Sequence, residues 1–229
     1  MKFPAPTRRV VTVTDEALAH RCAQGRVVLI DDHAEVVGAL TNLLHLEGYA
    51  CEGYPSATSY VEMLERGEPV FPGPACILTD MRMPGLDGLE LLGLLSESNE
   101  MPVILMSGAS GIRDAVQGFR FGAVDFLVKP VETEELLGAV AKALAISAQA
   151  RKRRTRDQDL AERLASLTPR ELTVAARVAQ GDTNAQTAED LGISLRSVKR
   201  IRQAAAFKLG ATSTAELVLK FTEGSHHLS

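Results

Sequence analysis

The sequence predicts an α/β, doubly wound five-stranded parallel sheet followed by a small all-α domain of four helices. Three observations carry that expectation. Short apolar runs that end in polar residues alternate with helix-period segments up to about residue 146, and such alternation needs crossover connections and hence parallel strands. Beyond residue 165 the strand signal stops and only capped helical segments follow. Charge divides in the same region: positions 1–150 hold 11 basic and 20 acidic residues, positions 151–229 hold 14 and 9. The net charge of −4 is therefore an average over opposites, and the repulsion of phosphates that it suggests applies to the first part alone.

The elements follow in order. Arg26-Val-Val-Leu-Ile-Asp-Asp32 is a buried strand rich in branched residues. Val36, Val37, Leu40, Leu43 and Leu44 repeat at i, i+3, i+4 spacing and give one apolar helix stripe. Tyr49 to Tyr54 is the weakest strand signal. Cys76-Ile-Leu-Thr-Asp80, Val103-Ile-Leu-Met-Ser107 and Val124-Asp-Phe-Leu-Val128 are further strands, and Leu89, Leu92 and Leu95 mark a second helix stripe. Residues 147–165, with the charge run Arg151-Lys-Arg-Arg-Thr-Arg-Asp157, read as a linker helix or linker. Thr168-Pro-Arg-Glu171 opens the first C-terminal helix with a capping-box pattern and proline at its first position. Asn184 to Leu191 is the second, a third runs through Leu209 and stops at Gly210, and Thr212 begins the last. The expected domains are 26–146 and 166–229, joined by 147–165. The extension 1–25 is a mobile tail by default, although Thr7 to Val13 has the pattern of an added strand.

Several classes drop out. With 45% hydrophobic and 24% charged residues the chain has the composition of an ordinary globular protein, and no stretch approaches the ~18 uninterrupted apolar residues of a membrane span. Met1 to Val13 holds Arg8 and Arg9 without an apolar segment after them, so no secretory signal is expected and a cytoplasmic location is. Cys22, Cys51 and Cys76 lack metal-ligand spacing and read as small buried hydrophobes. His20, His33, His45, His226 and His227 form no paired-ligand pattern.

Chemistry gathers at the strand ends. Asp31 and Asp32 close the first strand, Asp80 the third, Ser107 the fourth, and Lys129 follows the fifth; in a doubly wound sheet all lie along the edge where ligands bind. A single strand-end aspartate often caps the next helix, but capping does not explain this whole set. Three carboxylates in one pocket repel one another unless a cation joins them. A hard divalent ion such as Mg²⁺ takes carboxylate oxygens, a carbonyl and waters, and Lys129 is a compact cation suited to a phosphoryl oxygen.

Asp31-Asp32, Leu78-Thr-Asp80-Met-Arg-Met-Pro84-Gly-Leu-Asp-Gly88, Ser107-Gly108 and Ala123-Val-Asp-Phe126-Leu-Val-Lys129-Pro130 resemble the flavodoxin-like receiver domain of two-component response regulators. The resemblance implies that Asp80 is the phosphoacceptor, that Asp31, Asp32, Asp80 and the backbone carbonyl of Arg82 hold Mg²⁺, and that Lys129 contacts the phosphoryl group. It further implies a switch in which Ser107 moves to the phosphoryl oxygens and Phe126 changes rotamer, and a cis peptide before Pro130.

In the basic part, two helices joined by a turn at Gly192 form a helix-turn-helix, whose second helix enters the major groove. At 100° per residue Val198, Ile201, Ala205 and Leu209 share one apolar stripe, leaving Arg196, Lys199, Arg200 and Gln203 on the other face. Arginine, lysine and glutamine are side chains that read guanine and adenine edges. A basic helix face is in many proteins merely solvated. Here Leu167-Thr-Pro-Arg-Glu171, Gln180-Gly181, Asn184, Ala188-Glu-Asp-Leu-Gly192-Ile-Ser194, Ser197-Val-Lys199, Lys208-Leu209 and Ala215-Glu-Leu217 resemble a LuxR-type DNA-binding domain, and behind a receiver this is the architecture of the NarL/FixJ family. That resemblance implies a regulator phosphorylated by a sensor histidine kinase that forms a homodimer, binds promoter DNA and meets RNA polymerase as a further candidate partner, with no membrane association. It implies no enzyme activity beyond the receiver's own phosphorylation and dephosphorylation. Ala185, Thr187 and Phe207 depart from the family pattern, and they leave open a phosphotransfer or protein-interaction module whose C-terminal domain no longer reads DNA. An aspartate-nucleophile phosphatase is disfavoured, because its Asp-x-Asp motif would need an aspartate where Arg82 stands.

Overall fold

The structure is a computed structural model that describes residues 25–67, 73–96, 101–108 and 112–225. The possible strand at Thr7 to Val13, Cys22, His20, His226 and His227 lie outside the described residues.

Five parallel strands form one sheet: β1 (Arg26–Ile30), β2 (Ala50–Tyr54), β3 (Ala75–Asp80), β4 (Val103–Ser107) and β5 (Asp125–Val128), in spatial order β2-β1-β3-β4-β5. That order is the flavodoxin-like one, and its strand order reverses between β1 and β3, where ligands bind. The register places Ile30 beside Thr79 and Asp80 beside Met106, so the carboxylates after β1 and at the end of β3 reach one edge together. Every residue of β3 and β4 is buried, which is why both read as continuous apolar runs. The edge strand β2 exposes Glu52 and Gly53 and buries no position fully, which accounts for its weak signal.

Side chains alternate across the sheet with period two. Val27, Leu29, Cys76, Leu78, Ile104 and Met106 face one core, closed by α1 (Ala34–Leu46) and the N-terminal part of α5 (Thr133–Ala165) through Leu44, Leu136, Val140 and Leu144. Val28, Ile30, Ile77, Val103 and Leu105 face the other, closed by α2 (Ala57–Glu65) and α3 (Gly88–Ser96) through Tyr60, Leu91, Leu92 and Leu95. The helix α4 (Ile112–Arg120) completes this region. Burial pushes the Cys76 thiol up to about 12 and raises that of Cys51 as well. Neither carries the thiolate that cysteine chemistry needs, and both serve as small core residues.

The chain divides between Arg151 and Lys152 into two compact units. The second contains α6 (Pro169–Ala179), α7 (Asn184–Leu191), α8 (Leu195–Lys208) and α9 (Thr214–Ser225). Its core joins Leu160 and Leu164, near the end of α5, to Val174, Val178, Val198, Leu209 and Leu217. The segment 147–165 is thus helical throughout, and two of its residues are core. Thr168 and Glu171 form the capping box that the sequence predicts, with Thr168 N–H donating to Glu171 Oε2 (2.7 Å) and Glu171 N–H to Thr168 Oγ1 (3.3 Å). Gly192 adopts φ 61°, the left-handed cap that lets α7 turn directly into α8. The last helix begins at Thr214, not Thr212. Thr212 and Ser213 precede it as caps: Thr212 donates twice to Glu216 Oε2 (2.9 and 2.7 Å), and Glu216 N–H donates to Ser213 Oγ (3.1 Å).

Leu209 is fully buried whereas Phe207 is 86% exposed. Leu209→Ala should cost about 2–5 kcal/mol of the second unit's stability, and Phe207→Ala should stay within about 0.5 kcal/mol. Urea unfolding of the two variants checks this; equal losses would contradict the assigned core face of α8.

Candidate functional site

At the carboxyl edge of the sheet, Lys129 stands between two carboxylates. Its Nζ lies 2.6 Å from Asp31 Oδ2 and 2.8 Å from Asp80 Oδ1. Asp31 is fully buried and Asp80 nearly so, so one ammonium offsets the repulsion of two carboxylates held away from water. Burial works to lower the Lys129 pKa, but hydrogen bonds from the ammonium to Asp31 and Asp80, together with their charge, outweigh it and hold the group above the ordinary lysine value.

Backbone geometry fixes this arrangement. Lys129 N–H donates to the Ser107 carbonyl (2.8 Å), Met81 N–H to the Met106 carbonyl (2.8 Å), and the Lys129-Pro130 peptide is cis. The loop after Asp80 folds back on the strand end, where Gly88 N–H donates to the Met81 carbonyl (3.0 Å). A Cβ on Gly88 would lie 2.4 Å from the Asp80 carbonyl oxygen, so glycine is required at this close approach. Asp87 and Glu90 then cap α3 reciprocally (3.0 and 2.8 Å).

Asp32 lies on the exposed rim beside His33, whose Nδ1 is 3.0 Å from Asp32 Oδ1 and 3.2 Å from Asp31 Oδ1. Asp31, Asp32 and His33 each offer an atom that could hold a metal, all within 4.8 Å of one another. His33 pairs with no other histidine, so spacing rules pass over it; its place directly after two aspartates is the signal that finds it. The Arg82 guanidinium is 3.2 Å from Asp114 Oδ2, which leaves the Arg82 backbone for the role expected of it. Ser107 is buried at the end of β4, and Phe126 is half-buried against the core beneath α2 and α3. The carboxylate oxygens of Asp31 and Asp32 are donors of the kind a hard cation takes, and Asp32 is exposed to the solvent from which Mg²⁺ would keep its waters. The residues fit that ion.

In the second unit α8 separates its faces as the periodicity predicts. Val198, Ala205 and Leu209 are fully buried and Ile201 packs against their cluster, whereas Arg196, Lys199, Arg200 and Gln203 are exposed. No acidic residue occurs in the helix. Its remaining cations are structural. Arg202 donates to Asn184 Oδ1 (3.1 Å) and Thr214 Oγ1 (3.0 Å), tying α8 to α7 and α9. Lys208 donates to Glu171 Oε2 (2.6 Å) and the Ser166 carbonyl (3.0 Å). The Lys208 ammonium, followed by the Thr168 N–H, holds the Glu171 carboxyl below the usual carboxylate range. Among the residues that depart from the LuxR pattern, Thr187 is fully buried and donates to the Thr183 carbonyl (3.0 Å), so its hydroxyl is satisfied within α7. Ala185 is exposed on the first turn of α7. A groove of about 610 Å³, lined in part by Lys199, Gln203, Phe207 and the Thr212–Thr214 hydroxyls, opens beside the outward face; sequence periodicity alone does not bring the Thr212–Thr214 segment to α8.

Both units have counterparts among known proteins. A family profile for the response regulator receiver domain matches residues 27–141, and one for bacterial regulatory proteins of the luxR family matches residues 165–221. The chain is 34% identical over 198 residues to the transcriptional regulatory protein FixJ of Bradyrhizobium diazoefficiens, covering 85% of this chain and 93% of that one. It is 36% identical over 203 residues to the response regulator protein TodT of Pseudomonas putida, covering 88% and 87%. Among solved structures, the response regulator StyR matches with a TM-score of 0.77 at 32% identity, over 88% of this chain and 100% of that one. The receiver match contains the Lys129 bridge and the luxR match contains α8. With that domain order shared along most of the length of FixJ and TodT, the chain belongs to the NarL/FixJ family of response regulators, phosphorylatable regulators of transcription that bind DNA.

Proposed function

We propose that this regulator accepts a phosphoryl group on Asp80 from a sensor histidine kinase and thereby controls binding of residues 166–229 to promoter DNA. The observation that carries the reading is the position of Lys129, 2.8 Å from Asp80 and 2.6 Å from Asp31 at the switch point of the sheet. In the transfer, an Asp80 carboxylate oxygen forms the new O–P bond as the N–P bond of the kinase's phosphohistidine breaks. Such a transfer depends on positioning and charge rather than on covalent assistance from the protein. Asp31, Asp32, Asp80 and the Arg82 carbonyl would hold Mg²⁺, which would supply positive charge for the carboxylates and the transferred oxygens. Lys129, against Asp80, would hold one phosphoryl oxygen, and Ser107, at the end of the neighbouring strand, would hydrogen-bond another.

The switch follows from charge. A phosphoryl group adds roughly −1.5 to −2 at neutral pH, so the Lys129 contacts must redistribute, and Ser107 and Phe126 move with them. The receiver, residues 26–146, then homodimerises, the segment 147–165 connects the domains, and Arg196, Lys199, Arg200 and Gln203 read paired half-sites. RNA polymerase is the further partner of a bound dimer. A cytoplasmic location agrees with this assignment; no helix among the described residues is long and apolar enough to cross a membrane.

Asp80→Asn should abolish labelling by acetyl phosphate; retained labelling would overturn the phosphoacceptor assignment. Lys129→Ala should lower receiver stability by about 1–3 kcal/mol in metal-free buffer, less than for a fully buried pair because Lys129 keeps some exposure. Mg²⁺ should then raise the melting temperature of the variant more than that of the parent chain, and an equal rise would contradict the bridging role. Replacing Lys199 and Arg200 together with alanine should weaken promoter binding at least tenfold and flatten its dependence on log salt by one to two contacts. Titration across salt concentrations checks it.

A further inference from the structure

The outward face of α8 ends in an apolar ring. At 100° per residue, with Lys199 at zero, Gln203 falls at about 40°, Arg196 at about 60°, Phe207 at about 80° and Arg200 at about 100°, while the buried stripe of Ile201, Val198, Ala205 and Leu209 occupies about 200–280°. Phe207 therefore lies inside the basic face, and it is 86% exposed. Its outward-facing companions are three cations and a glutamine, and the groove beside it is lined in part by Thr212, Ser213 and Thr214. A protein partner that buried this ring would also have to desolvate those cations, whereas nucleic acid matches their charge.

We propose that Phe207 is a specificity-determining residue that reads the C5-methyl group of a thymine in the major groove. The proposal rests on DNA reading by α8 as argued above. Thymine is the base that presents a methyl group in that groove; the other base edges there offer only donors and acceptors, which a phenyl ring cannot pair. Phe207 stands four residues beyond Gln203, about 6 Å along the helix axis. The thymine therefore lies within about two base pairs of the pair that Gln203 faces, at about 3.4 Å per base pair. Burial of one methyl group is worth about 0.8 kcal/mol, close to fourfold in affinity.

The test uses the full chain, phosphorylated with acetyl phosphate, to select binding duplexes from a random-sequence pool. Each thymine of the selected site is then replaced by deoxyuridine, which lacks only the methyl group. The expected result is one thymine position at which the replacement weakens binding about fourfold, with no further loss at that position for Phe207→Ala or for Phe207→Lys, both melting with the parent chain. Phe207→Lys should in addition steepen the salt dependence by about one phosphate contact. Three outcomes overturn the proposal. In the first, every deoxyuridine duplex binds as well as its parent; in the second, Phe207→Ala keeps the same sensitivity. In the third, Phe207→Ala weakens thymine and deoxyuridine sites alike and lowers the cooperativity of binding, which assigns the ring to a second copy of the chain. A pool that yields no enriched sequence overturns both this proposal and DNA reading by α8.

Discussion

Lys129 sits between Asp31 and Asp80, and the receiver half is organised around keeping it there. Two carboxylates away from water repel each other strongly, and the ammonium that lies against both offsets that repulsion. The sheet order supplies the geometry. Because β1 and β3 are neighbours and β5 lies two strands away, the residues after β1, β3 and β5 reach one edge from three directions. The cost of gathering these charges is offset by the apolar layers beneath, where β3 and β4 are buried along their whole length. In the proposed phosphotransfer the same bridge would respond to new charge. A new phosphoryl charge competes for one ammonium whose partners are already fixed, so a local change must alter the hydrogen bonds of at least one neighbouring strand.

The second unit uses its cations in two distinct ways. Arg202 and Lys208 are spent on structure, joined to Asn184, Thr214, Glu171 and the Ser166 carbonyl, and they hold α8 against its neighbours. Arg196, Lys199 and Arg200 point away from the core on a helix without acidic residues. This separation explains why the overall charge of the chain is a poor guide to its partner. What a phosphate backbone meets is the local face, and that face is positive.

Much of this was legible in the sequence. β3, β4 and the site at their ends could be read because burial on both faces leaves an uninterrupted apolar run and a polar stop, and the 100° periodicity of α8 separated Leu209 from Arg200 without coordinates. Other features were hidden for physical reasons. β2 is an edge strand with Glu52 and Gly53 in the middle, so it carries little apolar signal. Leu160 and Leu164 are core residues within a helix whose preceding turns are almost all charged, and one i, i+4 pair is too little to show periodicity. Thr212 looks like a helix start by its cap chemistry; the true start lies two residues later because both Thr212 and Ser213 turn back to Glu216. The groove beside Phe207 depends on the Thr212–Thr214 segment being brought to α8 by folding, which spacing along the chain does not encode.

In the proposed function a charge placed on the receiver controls the affinity of α8 for DNA. Its most direct test measures the full chain with and without acetyl phosphate, in the presence of Mg²⁺, for both promoter-fragment binding and oligomeric mass. Phosphorylation should give tighter binding and a dimer mass, and an Asp80→Asn chain should show neither change. Identical affinity and mass in the two states of a chain that is demonstrably labelled would contradict it.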